Sequence, residues 1–289
     1  MTTPTDNALG EKRIRKKFRG KFVVITGASS GIGRQVAIDF AMGGASKIII
    51  IARTEPKLIE LQRMIEQQTT FHGSRETKGP DVIPYVCDVS RRQEVIAMGR
   101  DLLQKLGRID ILVNNAGFGA LRYVGAQEID EIEAIMHTNY FGMVYCTKVF
   151  LNSMLSRRTG HIVNIASVAA SFGIAGMAAY CASKYAMLGF SESLHHELQG
   201  TGVGITVVSP IGVKTNFFNN KFFPGRIPNY TGLMLSPKTV SRSVISASCS
   251  PRLEIVVPFY IRAAIWLKYT LPYLINPLVG TLSRKQMNV

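Results

Sequence analysis

The chain has little of what announces a metal centre, a disulfide framework or a membrane span. Its 289 residues include four cysteines, Cys87, Cys146, Cys181 and Cys249, widely scattered and without a CxxC pair. That spacing supports neither a zinc ribbon nor a disulfide scaffold, and suits reduced thiols in an intracellular protein. The five histidines show no HExxH or His/Cys ligand spacing, so no metal site is expected. In the apolar C-terminal stretch the longest uncharged run, 269–283, is 15 residues and holds Pro272, Pro277 and Gly280. A spanning helix needs ~20 apolar residues, so a span is not expected. Acidic side chains are scarce, 19 against 34 Lys and Arg, for a formal charge of +15. Zinc-finger, RRM and basic-zipper patterns are absent, which speaks against nucleic acid as a partner. No apolar h-region follows the N-terminal basic run, so a cytosolic-side protein is expected.

Present instead is a long, apolar and ordered chain. Apolar residues make up 46% and charged residues 18%, which excludes disorder and a fibrous build. Residues 1–20 read as a basic tail, with most of the run KRIRKKFRGK (12–21). From residue 21 to 257, short β-branched runs alternate with longer helical patterns. Strands are expected at 22–26, 47–52, 82–87, 109–113, 161–165 and 204–208. Helices are expected near 31–43, 55–68, 91–106, 128–155 and 178–199. The polar stretch 69–81 reads as a surface loop. Strand–helix alternation implies βαβ crossovers, hence one doubly wound α/β domain with a parallel sheet and helices on both faces. Residues 258–289 form an apolar C-terminal extension.

Thr26–Gly33 reads TGASSGIG, after a strand and before a helix. Gly27, Gly31 and Gly33 permit a tight turn and close backbone approach to a pyrophosphate. Ser29, Ser30 and Ile32 lie in the same turn, where helix N–H groups face negative charge. The second strand ends Ile51-Ala52-Arg53, without the acid that bonds the ribose hydroxyls of NAD. A guanidinium suits a 2′-phosphate, and Arg34 adds a second charge, so NADP(H) is favoured over NAD(H).

Further along come Asn114-Asn115-Ala116-Gly117, Asn139, Ser167, and Tyr180 with Lys184 four residues on. Tyr180 and Lys184 share one helix face. A neighbouring ammonium lowers a phenol's pKa from ~10, so the pair is expected to exchange a proton with a ketone or alcohol oxygen. Ser167 offers a hydroxyl to the same oxygen.

This ordered set resembles the short-chain dehydrogenase/reductase family over roughly residues 20–257. The resemblance implies a Rossmann-like catalytic domain in which Tyr180 is the general acid/base and Lys184 tunes it and binds the nicotinamide ribose. Ser167 would position the carbonyl, and Asn139 would hold a water that relays protons from Lys184. Asp88 and Val89 would meet the adenine, and Asn115, Ala116 and Gly117 the adenosine ribose. Pro210, Val213 and Thr215 would contact the nicotinamide end. The family usually has Pro-Gly after the sixth strand, and here Pro210-Ile211-Gly212 stands there. Two helices, around 128–155 and 178–199, would pair across a two-fold axis in a homodimer or homotetramer.

Phe217, Phe218, Phe222, Phe223 and Tyr230 form an aromatic segment after the sixth strand. With Phe217 and Phe218 against the substrate, an apolar, lipid-like carbonyl compound is expected. Around 259–271 the chain is apolar nearly all round, broken by Arg262, Lys268 and Thr270, with Trp266 among tyrosines and cations. Such a segment is buried against another subunit or lies on an anionic membrane surface. Ile14 and Phe18, four apart in the basic tail, would add to membrane attraction. Two alternatives stand beside this reading. One is a soluble reductase of 3-oxoacyl carrier proteins, and the other a dinucleotide-sensing binding protein.

Overall fold

A computed structural model of the chain describes residues 17–72, 79–218, 223 and 232–287. Seven strands form a single parallel sheet: β1 (Phe22–Thr26), β2 (Lys47–Ala52), β3 (Asp81–Val86), β4 (Ile111–Asn114), β5 (Gly160–Ile165), β6 (Val203–Pro210) and β7 (Glu254–Val257). Their spatial order is β3-β2-β1-β4-β5-β6-β7. The direction of winding reverses between β1 and β4, and the crevice beyond their C-terminal ends is where such sheets take ligands.

The central strands are Ile/Val runs because both faces are covered. Side chains alternate between two cores. Val23, Ile25, Ile48 and Ile50 enter one, beneath α1 (Gly31–Met42), α2 (Glu55–His72) and α7 (Pro237–Cys249). Val24, Ile49 and Ile51 enter the other, beneath α3 (Arg92–Leu106), α5 (Gly142–Ser156) and α6 (Ala178–Glu197). This is the period of two expected of a pleated strand.

Several elements differ from the sequence expectation. The helix expected over 128–155 is broken into α4 (Ile129–Met136), a π-helical turn His137–Phe141, and α5. Residues 69–72, expected in a surface loop, belong instead to α2, which runs to His72, and 73–78 lie outside the described residues. Strand β7 and helix α7 were not anticipated, although Ser236 caps α7 by accepting from Thr239 N–H and Pro237 opens its first turn. The C-terminal extension is two helices, α8 (Ile261–Thr270) and α9 (Pro272–Met287).

Phe18 requires a correction. Rather than facing lipid from a tail, it is 2% exposed and packs edge-on against Phe40, with ring centroids 4.8 Å apart. The apolar body of a phenylalanine gains more from the core of α1 than from a charged surface segment. Its intended companion Ile14, and the rest of the basic run before Lys17, lie outside the described residues.

His161, on β5, is 5% exposed, and its Nε2 pairs with Thr206 Oγ1 at 3.0 Å. Burial lowers its pKa from 6.5 to about 4. The folded protein therefore keeps His161 neutral where the unfolded chain already binds a proton. Stability should fall as pH drops from ~6.5 towards ~4, by on the order of 3 kcal/mol from this residue. Urea titrations at stepped pH should show that slope flattened in His161→Gln. An unchanged slope would contradict the assignment.

Candidate active site

The crevice at the β1/β4 reversal holds a cavity of about 570 Å³, within the range of ligand pockets. The sequence placed nineteen residues here that do line it: Gly27, Ser29, Ser30, Gly31, Ile32, Arg53, Asp88, Val89, Asn115, Ala116, Gly117, Ser167, Tyr180, Lys184, Pro210, Val213, Thr215, Phe217 and Phe218. Gly33, Arg34 and Asn139 are not among its lining.

The glycine turn is built by backbone geometry. Gly27 and Gly31 have φ of +65° and +56°, where a side chain is disfavoured. Gly33 lies behind the turn, where an added Cβ would come within 2.5 Å of the Gly27 carbonyl oxygen. Asn115 fastens the β4 loop to this turn. Its Nδ2 donates to the carbonyls of Thr26 and Gly27 at 3.0 and 3.1 Å. Thr26 Oγ1 in turn accepts from the N–H groups of Asn115 and Ala116. A glycine turn with positive φ at the start of α1 fits a pyrophosphate.

At the other end of this half-site Asp88 is held by Ser90, whose N–H and hydroxyl donate to it at 3.0 and 2.7 Å. Arg53 stands 4.0 Å from Asp88, with its side chain 74% exposed at the rim. Arg34 is otherwise engaged: it ion-pairs with Glu60 at 2.6 Å.

The reacting end is set by α6, which carries Tyr180 and Lys184 one turn apart. Tyr180 and Ser167 meet at the cavity wall. Ser167 caps the short turn Val168–Ala170 by accepting from Ala169 N–H at 3.1 Å. Lys184 Nζ donates to the Ile165 carbonyl at 2.9 Å and lies 5.6 Å from the centroid of the Tyr180 ring. Burial lowers the Lys184 pKa to about 7. Burial also raises the Tyr180 pKa, opposed by its hydrogen bond with Ser167. This corrects the expected lowering of the tyrosine by its neighbour: both groups are desolvated, and the lysine's proton is directed at a carbonyl. Burial thus favours the protonated phenol of Tyr180 at neutral pH.

Asn139 is fully buried in the π-helical turn. Its Oδ1 accepts from Phe118 N–H, and its Nδ2 donates to Phe118 O and Ser183 Oγ, each at 2.9 Å. Its side chain therefore ties the β4 loop to α6. π-turns recur at functional sites.

Ile211 fits without backbone strain. It is not in the left-handed region. Its N–H donates to the Val257 carbonyl at 3.0 Å and its side chain joins the core. Over Tyr180 lies an aromatic cluster of Phe217, Phe218 and Phe223, with Phe217 edge-on to the Tyr180 ring at 5.5 Å. Gly119 makes room for it, since a Cβ there would sit 3.0 Å from Tyr180 and 3.1 Å from Phe217. Phe222 and Tyr230 lie outside the described residues. Sequence reasoning missed the part of the lining that comes from the extension: Ile261, Ala264, Val279, Leu282 and Ser283. Their spacing on two helices is a signal only once the helices are known to fold back.

A family model described as short chain dehydrogenase matches residues 21–223. A dehydrogenase/reductase SDR family protein 7-like protein of Anopheles gambiae is 34% identical over 268 residues, covering 91% of this chain and 83% of the relative. Retinol dehydrogenase 10-B of Danio rerio is 34% identical over 267 residues, covering 84% and 78%. Among solved structures, a short chain dehydrogenase/reductase from Burkholderia phymatum in complex with NAD superposes with TM-score 0.77 at 27% identity, over 89% of this chain and 96% of that one. A metagenomic short-chain oxidoreductase in complex with NADP gives 0.68 at 26%, over 83% and 97%. With the family model matching residues 21–223 and a relative 34% identical over most of both chains, the chain belongs to the short-chain dehydrogenase family of oxidoreductases.

Proposed function

We propose that the protein reduces a carbonyl group on an apolar, lipid-like compound with NADPH, and oxidises the corresponding alcohol in reverse. The observation that carries this is the Tyr180–Ser167 pair in a cavity also lined by Phe172, Ile174, Met177, Phe217 and Phe218. When bound, the nicotinamide supplies the hydride chemistry. The chain's own residues bind, orient and protonate. Ser167 holds the carbonyl oxygen, and Tyr180 donates its phenolic proton to it. Lys184 backs the tyrosine from one helical turn away. The aromatic cluster excludes water from the reacting carbon. One of the relatives is named for retinol, an apolar alcohol, in keeping with this substrate class. On this reading the protein is a homodimer or homotetramer paired through α5 and α6, works on the cytosolic side, and associates with an anionic membrane surface.

The preference for NADPH rests on Arg53. Its exposed guanidinium follows β2 at the cavity rim beside Asp88 and would meet a 2′-phosphate, and a charge-assisted bond of that kind is worth about 1.5–3 kcal/mol. Fluorescence titration should show NADPH bound more tightly than NADH, and Arg53→Ala should weaken NADPH ~10-fold or more. NADH affinity should stay within about twofold. Equal weakening of both cofactors would refute a 2′-phosphate role. The reaction itself is tested by NADPH oxidation with ketones of graded chain length.

A further inference from the structure

The C-terminal helices face two ways. Inward, Ile261 and Ala264 of α8 and Val279, Leu282 and Ser283 of α9 line the cavity. Outward, the segment presents large apolar and aromatic side chains to solvent. Trp266 is 66% exposed and Tyr273 96%, with Phe259, Tyr269, Leu274 and Leu278 beside them. Leu282 belongs to both sets: it lines the cavity and is 50% exposed, so it stands at the rim. Neither helix is long and apolar enough to cross a bilayer. Exposed aromatic and aliphatic groups in this concentration mark an interaction surface.

Charge decides what covers it. Residues 255–289 carry Arg262, Lys268, Arg284 and Lys285 and no acid. Over residues 198–289 there are ten Lys and Arg against the single Glu254, whereas residues 22–197 hold 17 cations and 16 acids. A second copy of this chain seated on the same face by two-fold symmetry would oppose the same cations with no counter-charge. An anionic lipid surface supplies that counter-charge, and tryptophan and tyrosine settle at headgroup depth. Lys268 fixes the surface to the site: its Nζ bonds the Ser171 carbonyl and Tyr185 Oη, on the loop and helix that carry Ser167 and Tyr180.

The geometry points to α8 and α9 as a docking face for an anionic bilayer, with the rim at Leu282 opening onto it so that the substrate enters from the lipid phase. The entry route rests on the proposed apolar-carbonyl reductase reading; the docking face does not.

Trp266 is the only tryptophan in the chain, so its emission reports on this face alone. Full-length protein is mixed with vesicles of phosphatidylcholine, with or without 30% phosphatidylserine, and followed by Trp emission and flotation. The expected result is a blue shift and flotation with the anionic vesicles, reversed by raised salt. Tyr273→Asp with Leu274→Asp, at exposed positions, should lower partitioning at least ~10-fold while the far-UV spectrum stays native. Emission unchanged by anionic vesicles overturns the docking face. So does a blue shift without lipid that grows with protein concentration and mass, which would make a second copy the occupant. For entry, the double variant should raise KM for a vesicle-borne long-chain ketone and leave KM for a water-soluble ketone unchanged. Vesicle binding without turnover of any carbonyl defeats the reductase reading and leaves the docking face standing. Turnover of both ketones with equal KM in both proteins defeats the entry route.

Discussion

Tyr180→Phe should lower kcat for carbonyl reduction by roughly 10²- to 10⁴-fold, the usual share of a positioned general acid. The substitution removes one oxygen and little else. The ring keeps its edge contact with Phe217. The Ser183 hydroxyl bonds the Tyr180 carbonyl at 2.7 Å, not the phenol, so the helix start is undisturbed. Binding of NADPH, measured by fluorescence, should change by less than about threefold, because transition-state stabilisation is lost and uniform binding is kept. The pH dependence has a definite sign. Tyr180 has a raised pKa because it is buried, so the donor form persists through neutral pH and reduction should be nearly flat there. Alcohol oxidation needs the phenolate and should rise with pH. A variant retaining a tenth of wild-type kcat would show that another group supplies the proton.

Asn139→Ala should cost about 3–5 kcal/mol of stability. The side chain is wholly buried and makes three hydrogen bonds, two to the Phe118 backbone and one to Ser183. Removing it takes these bonds from the half-buried N–H and carbonyl of Phe118 and from the buried Ser183 hydroxyl, at about 1–3 kcal/mol each, before any relaxation. Ser183→Ala removes one of the three and should cost about 1 kcal/mol. Urea midpoints of the two variants, at unchanged m, separate these values. Equal small losses would mean that the π-helical turn is held by its backbone alone.

Much of this was legible in the residues because the signals are local. The Ile/Val runs locate β1 and β2 at their observed bounds, and β3 to β6 within a few residues. The glycine turn and the i,i+4 pair Tyr180 and Lys184, read from the sequence as cofactor and proton-transfer residues, line one crevice. What was not legible depends on contacts distant in sequence. The π-helical turn has no composition signal, and Asn139 finds its partner 21 residues back, at Phe118. Strand β7 is four residues, Glu254–Val257, and exists by pairing with β6. Phe18 reads as part of a basic tail until Phe40 is seen beside it. Nor does the sequence show that Arg34 meets Glu60 of α2 at 2.6 Å. Burial, which the sequence does not show, raises the Tyr180 pKa and lowers that of Lys184. The fold-back of α8 and α9 onto the cavity is tertiary throughout, since two short helices separated at Pro272 carry no instruction as to which face they cover.

The most direct test of the central claim is NADPH oxidation by the purified protein against ketones of increasing chain length and ring number, with Tyr180→Phe in parallel. The structure predicts kcat/KM that climbs with apolar size, stays several-fold higher with NADPH than with NADH, and collapses in the variant. Tight NADPH binding with no turnover of any ketone or of the matching alcohols would contradict it, and would make this site a sensor of the dinucleotide instead of a reductase.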